Sequence, residues 1–295
     1  EKRKPVLNLN PFRKSVFGKK LSLVKLSFLK KKCEVVEIID IHCHLTFKEY
    51  DADREQVIAD AKQVLNGVVI SGVEPEDTKK ALELAAMHEK FIFVTLGLHP
   101  IHVSGKTDQE IERYMEFISE HKREIVGIGE IGLDYHWVRD PLKLKRTKEV
   151  FVEFLGLAKE LDLPVVLHLR GTGSEAIEEG LKIILDEDIK KAVFHCFTGK
   201  PSVAEMICEE GYYISLPTSI MRSKSMKKVA KRIPLSHLLT ETDAPYLSPD
   251  EEERNVPQNV KAVYEEIARQ KKSDVKTVEG EIERNFERVF GVDLK

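Results

Sequence analysis

VVEIIDIHCH, residues 35–44, decides how this chain is read. An apolar run ends in two histidines, two positions apart. In a strand rising ~3.3 Å per residue, the imidazoles of His42 and His44 leave one face and Cys43 leaves the other. Two ring nitrogens so placed can chelate one ion. The same pattern returns four times downstream. IVGIGEIG (125–132) carries Glu130, PVVLHL (164–169) carries His168, KAVFHCF (191–197) carries His195 and SHLLTETD (236–243) ends in Asp243. Each of these residues is expected at the C-terminal end of its strand.

Eight apolar runs are present, at 35–41, 64–71, 91–97, 125–131, 164–169, 191–196, 212–216 and 237–242. Amphipathic stretches separate them, among them DREQVIADAKQ (53–63), EDTKKALELAAMHEK (76–90) and EVFVEFLGLAKEL (149–161). Ser174 is placed to cap the helix that follows it. Strand and helix alternating eight times predict the α/β class and a closed (β/α)8, or TIM, barrel. The last segments, NVKAVYEEIARQ (259–270) and TVEGEIERNFERVFG (277–291), read as helices packed outside it. In such a barrel the C-terminal strand ends meet on the face that carries chemistry. Imidazoles and carboxylates converging there predict a catalytic metal site.

The chain has 295 residues, 42% of them hydrophobic, enough for one large barrel domain. No run of 18 apolar residues exists, so no membrane span is expected. The four cysteines form no C-x-x-C pair and read as small buried side chains in a reducing, cytoplasmic setting. The net charge of −3 hides an asymmetry: residues 1–34 hold eleven Lys or Arg against two Glu. The remainder holds 36 basic and 48 acidic residues, a net −12. The body is therefore not a generally basic nucleic-acid binder, and any such partner must be met by a local patch, by metals or by the basic arm. Residues 1–34 are expected to form a flexible extension, and 35–295 the barrel. The arm lacks the apolar core and cleavage site of a secretory signal.

Within the apolar runs, charged groups need a reason. A buried Glu130 must be paired, protonated or bound to a cation. His168 and His195 end adjacent strands. Asp243 is placed to ligate a metal and to accept a proton from water, with Glu241 two residues earlier and deeper in the barrel.

The chain resembles the TatD family of metal-dependent deoxyribonucleases. The resemblance is carried by DIHCHL (40–45), GLHP (97–100), GIGEIGLDYH (127–136), ELDLPVVLHLRG (160–171), HCFTG (195–199), LLTETDAPYLSP (238–249) and RNVPQNVKAVYEEIA (254–268). It implies two divalent ions, Mg²⁺, Mn²⁺ or Zn²⁺. His42, His44, Glu130 and Asp243 would hold one, and Glu130, His168 and His195 the other, with Glu130 bridging. His99, Arg170 and Arg254 would line the substrate side. The family usually follows its H-x-R with Asp-Ala, where this chain has Gly171-Thr172-Gly173. A Gln expected shortly before Phe151 is Thr147.

The resulting expectation is a hydrolase of DNA or another phosphodiester, with Asp243 and Glu130 as catalytic residues. Two rivals remain at this level: an amidohydrolase or esterase, such as an aminoacyl-tRNA deacylase, and a non-enzymatic binding protein. The complete ligand set argues against the latter. Oligomeric state is not legible.

Overall fold

The computed structural model describes residues 38–294. The basic arm at 1–34 and the first residues of the opening run lie outside that span. Eight parallel strands are found among the described residues, each within one of the apolar runs or overlapping it. They are β1 (Ile39–Cys43), β2 (Gly67–Ser71), β3 (Ile92–Leu96), β4 (Gly127–Asp134), β5 (Val165–Arg170), β6 (Ala192–Phe194), β7 (Tyr213–Pro217) and β8 (Leu238–Glu241). Their spatial order is their sequence order, β1 to β8. The strands are almost wholly buried, as expected of parallel strands covered on both faces, which read as continuous apolar runs.

Helices α1 (Arg54–Ala61), α2 (Pro75–Met87), α3 (Asp108–Glu120), α4 (Pro141–Leu161), α5 (Glu175–Asp186), α6 (Pro201–Glu209) and α7 (Lys224–Arg232) form the crossovers, and α8 (Lys261–Lys271) and α9 (Val275–Phe290) follow the last strand. No helix among the described residues is long and apolar enough to cross a membrane. Helix α4 begins eight residues before the stretch that its periodicity marks. Asp140 explains this: its carboxylate accepts from Leu142 N and Lys143 N at 2.9 and 3.0 Å, and Pro141 follows it. Ser174 does occupy the cap position of α5, but its side chain does not cap. Its hydroxyl instead accepts from Lys200 N at 3.2 Å, and the Glu175 carboxylate takes the amides of Thr172 and Gly173.

Between β8 and β1 the ladder is replaced largely by side chains. Regular pairing is limited to one parallel bridge, Cys43 to Ala244. Deeper down, buried Asp40 takes Thr242 N at 2.9 Å and the Thr242 hydroxyl, and Thr240 Oγ1 donates to Ile39 O at 3.2 Å. From α8, Tyr264 Oη accepts Ile39 N at 2.9 Å. At the mouth, Asp243 N donates to His42 O and His44 N to Ala244 O, at 2.9 and 2.7 Å. The seam thereby fixes Asp243 against the two histidines of β1.

Candidate metal centre

Both strands that carry the first ligands are irregular where they carry them. On β1, Asp40 faces Val68 but Cys43 faces Ile70, so one extra residue is accommodated around His42. On β4, Ile128 faces Val165 but Ile131 faces Leu167, which places the same irregularity at Gly129–Glu130. A bulge of this kind re-aims a side chain and is common beside active sites. The Glu130 amide accordingly turns from β5 and donates to Gly72 O at 3.2 Å. The strand does not end there, as the apolar run suggests, but continues paired with β5 as far as Asp134.

Glu130 is 2% exposed, and its two oxygens face different partners. Oε2 lies 3.3 Å from His42 Nε2 and 3.9 Å from His44 Nε2. Oε1 lies 2.6 Å from His168 Nδ1, 2.9 Å from His195 Nε2 and 3.5 Å from His99 Nε2. On the first side, Asp243 Oδ1 adds a contact of 3.3 Å to His44 Nε2 and 3.8 Å to His42 Nε2. The six residues expected to ligate metal therefore share one cluster.

Several neighbours orient these rings. Asp134 Oδ2 lies 3.1 Å from His168 Nε2. The His44 ring holds Ser71 O with Nδ1 at 3.1 Å and stacks on Phe47, centroids 4.7 Å apart. Glu241 Oε1 stands 3.6 Å from His195 Nδ1, and its carboxylate accepts Cys196 N and the Ser215 hydroxyl. Asp134 was legible only as part of a motif. Nothing in its spacing shows that it reaches a histidine at the fourth residue of another strand.

The residues expected on the substrate side separate into three situations. His99 is inside the cluster, with Nε2 3.2 Å from His168 Nδ1. Arg170 is exposed at the end of β5. Arg254 is engaged: Asp53 takes its guanidinium with both oxygens at 3.0 and 2.7 Å, Glu49 O takes a further N–H, and the group lies 4.4 Å from the Tyr50 ring centroid. So filled a fork is a clamp between loops rather than an open anion site. Thr147 bonds the Lys143 carbonyl of its own helix.

Electrostatics couple the cluster. Burial would raise the Glu130 carboxyl, but the imidazoles of His195, His99 and His42 hold it well below the usual carboxylate range. Burial likewise opposes the ionised form of Asp243, yet the hydrogen bond and charge of His44 keep it low. His195 is pushed down by burial and raised well above the usual imidazole range by Glu130 and Glu241. His99, whose burial dominates, is driven well below that range.

These residues fit a cation. His42 Nε2 and His44 Nε2 are 3.3 Å apart, as are His168 Nδ1 and His195 Nε2. Nitrogens sharing one ion at about 2.0–2.2 Å stand about 2.8–3.6 Å apart at octahedral to tetrahedral angles. Ligand atoms of His42, His44 and Glu130 lie within 4.8 Å of one another, as do those of His99, Glu130 and His168, and of His42, His195 and Glu241. Nitrogen with carboxylate oxygen suits Zn²⁺ and Mn²⁺, and the carboxylates also suit Mg²⁺.

With the geometry established, the sequence and the fold can be compared with known proteins. The family model described as TatD related DNase matches residues 39–291. The uncharacterized metal-dependent hydrolase MJ1582 of Methanocaldococcus jannaschii is 37% identical over 255 residues, covering 86% of this chain and 97% of its own length. The human deoxyribonuclease TATDN3 is 31% identical over 252 residues, 82% of this chain and 90% of its own. Among solved structures, YJJV, a TATD homolog from Escherichia coli, superposes with a TM-score of 0.79 at 28% identity, covering 87% of this chain and 99% of that one.

Proposed function

This chain belongs to the family of TatD-related DNases, metal-dependent hydrolases, and on that premise we propose that it cleaves the phosphodiester bonds of DNA at the mouth of its barrel, using two divalent ions. His42, His44, Glu130 and Asp243 would hold one ion, and Glu130, His168 and His195 the other. The observation that supports this reading is the division of one carboxylate: Glu130 turns Oε2 toward His42 and His44, and Oε1 toward His168 and His195. Bound in such a pair, divalent ions polarise water and phosphate oxygens and neutralise charge on the attacking and leaving groups.

The protein's own groups divide the remaining work. Asp243 is the candidate proton acceptor for the attacking water. It is ionised, and its side chain is 16% exposed against 3% for Glu130, so water reaches it. Glu241 is a weaker candidate: it is fully buried and its oxygens already accept Cys196 N and Ser215 Oγ. Asp134 holds the His168 ring in place through Nε2, leaving Nδ1 for the Glu130 side. The net negative body offers little general attraction for a polyanion, so the phosphate would be met by the ions and by Arg170. DNA as substrate is supported by the activity for which human TATDN3 is named. The free thiols of Cys43, Cys196 and Cys208 support a reducing, cytoplasmic setting.

The test is a labelled single-stranded DNA oligomer incubated with Mg²⁺, Mn²⁺ or Zn²⁺, beside an EDTA control and a charged tRNA. Metal-dependent shortening of the DNA, abolished by EDTA, is expected. Deacylation of the tRNA with intact DNA would replace this reading with that of an esterase.

A further inference from the structure

The turn after β4 carries the chain's single tryptophan, and Trp137 is 65% exposed. Its backbone is nonetheless fixed. Asp134 Oδ1 accepts the amides of His136 and Trp137, both at 2.8 Å, and Val138 N closes on the Asp134 carbonyl at 3.0 Å. The other oxygen of the same carboxylate is the one that holds His168. One side chain thus ties an exposed indole to a ring of the candidate metal centre.

Arg170 stands beside that indole. It lies opposite Asp134 in the β4–β5 register, two residues past His168, and its guanidinium is 5.9 Å from the Trp137 ring centroid. It has no carboxylate partner among the described residues, unlike Arg254. The mouth of the site therefore presents an exposed aromatic ring on a fixed backbone turn, with the Arg170 cation over it. A ligand matching both has a flat π-face and an adjacent anion. A nucleotide whose base is unstacked has both, whereas a base inside a duplex has its faces covered.

We propose that Trp137 is a stacking platform for one unpaired base beside the scissile phosphate, with Arg170 meeting the flanking phosphate. This rests on the nucleic-acid hydrolase reading above and adds a base-binding subsite to it. Aromatic platforms of this type accept any base, because every base has a π-face, and a neighbouring arginine strengthens the contact.

The lone tryptophan supplies its own readout. Metal-loaded protein is titrated with a cleavage-resistant phosphorothioate oligothymidylate, an abasic phosphorothioate of equal length and a duplex, following intrinsic fluorescence. Saturable quenching by the oligothymidylate, with far weaker quenching by the other two, is expected. In steady-state cleavage of ordinary oligothymidylate, Trp137→Ala should raise KM about tenfold or more, with a smaller effect on kcat, and Trp137→Phe should recover most of the loss. Equal quenching by the abasic strand, or an unchanged KM in Trp137→Ala, would overturn the stacking role. Quenching without cleavage under any metal would leave the base site standing and remove the nuclease reading. Cleavage without quenching would do the reverse.

Discussion

At the scale of single residues, Glu130 carries the most consequence, because one carboxylate serves both halves of the cluster. Glu130→Gln removes the charge from both halves and turns an NH2 group toward one of the two positions that a cation would occupy. Bound metal should fall in both halves, below half of the wild-type content, and activity should fall with it. Elemental analysis of folded protein decides this, and full metal content with normal cleavage would remove Glu130 as a bridge. Asp243→Asn keeps the shape and one ligand oxygen but cannot take a proton at neutral pH. Its single-turnover rate at saturating Mn²⁺ should drop about 10²–10⁴-fold with some metal retained. A near-normal rate would transfer the role to another group, such as His99, which burial drives well below the usual imidazole range. The histidines make a separate prediction about pH. His168 and His195 resist burial and are raised by Asp134 with Glu130, and by Glu130 with Glu241, respectively. They therefore hold protons in the metal-free fold at pH values where a free imidazole, near 6.5, is losing them. That contribution to stability is complete below the unfolded value and is lost as pH rises through the folded one. A metal must displace these protons, so its affinity should weaken as pH falls, and loading at pH 7 should acidify a weakly buffered solution. An indicator dye showing no proton release would mean that the rings are already neutral. These residue types were legible because imidazole and carboxylate are out of place in apolar runs. The assignment of Asp134 and Glu241 was not, since their partners lie on other strands.

At the scale of elements, β4 shows why the strand boundaries could not be read from the apolar run alone. Pairing persists to Asp134 because Gly132 allows it. This glycine has φ +144°, and a Cβ there would sit 2.1 Å from the His168 carbonyl oxygen. Gly132→Ala must therefore strain its own backbone and push β5 away at the candidate ligand. A loss of about 3 kcal/mol or more is expected, seen as a lower thermal midpoint together with reduced metal content. A midpoint equal to wild type would show that β5 can yield without cost. The helices divide similarly. Periodicity located α1, α2 and α5 within a few residues. The first two turns of α4 carry little apolar pattern and depend on Asp140 and Pro141 at the start. Ser174 sits where a cap belongs, yet its hydroxyl is engaged by Lys200 N of another loop instead.

At the scale of the whole molecule, the eight strands among the described residues follow one another around the ring, with β1 between β2 and the Asp40–Thr242–Tyr264 seam. Deleting residues 1–34 should therefore leave the thermal midpoint within about 2 °C of the full chain, since losing even 1 kcal/mol would shift a barrel of this size by about that much. A larger fall, or insoluble protein, would show that the basic arm completes the core. The truncated protein should also bind DNA less tightly at low salt, where phosphate contacts count most. The sequence by itself determined the eightfold alternation, the parallel barrel and the identity of the six clustered side chains. Those follow from local periodicity and from polar groups in apolar strands, both of which are properties of a linear string. Tertiary structure alone decided which carboxylate oxygen faces which histidine, that Arg254 is clamped by Asp53 while Arg170 is open, and that Asp134 joins the Trp137 turn to His168. The contacts to His42, His44, His168 and His195, and that of Arg254 with Asp53, join segments brought together only when the barrel closes, and no spacing along the chain encodes a distance across its mouth.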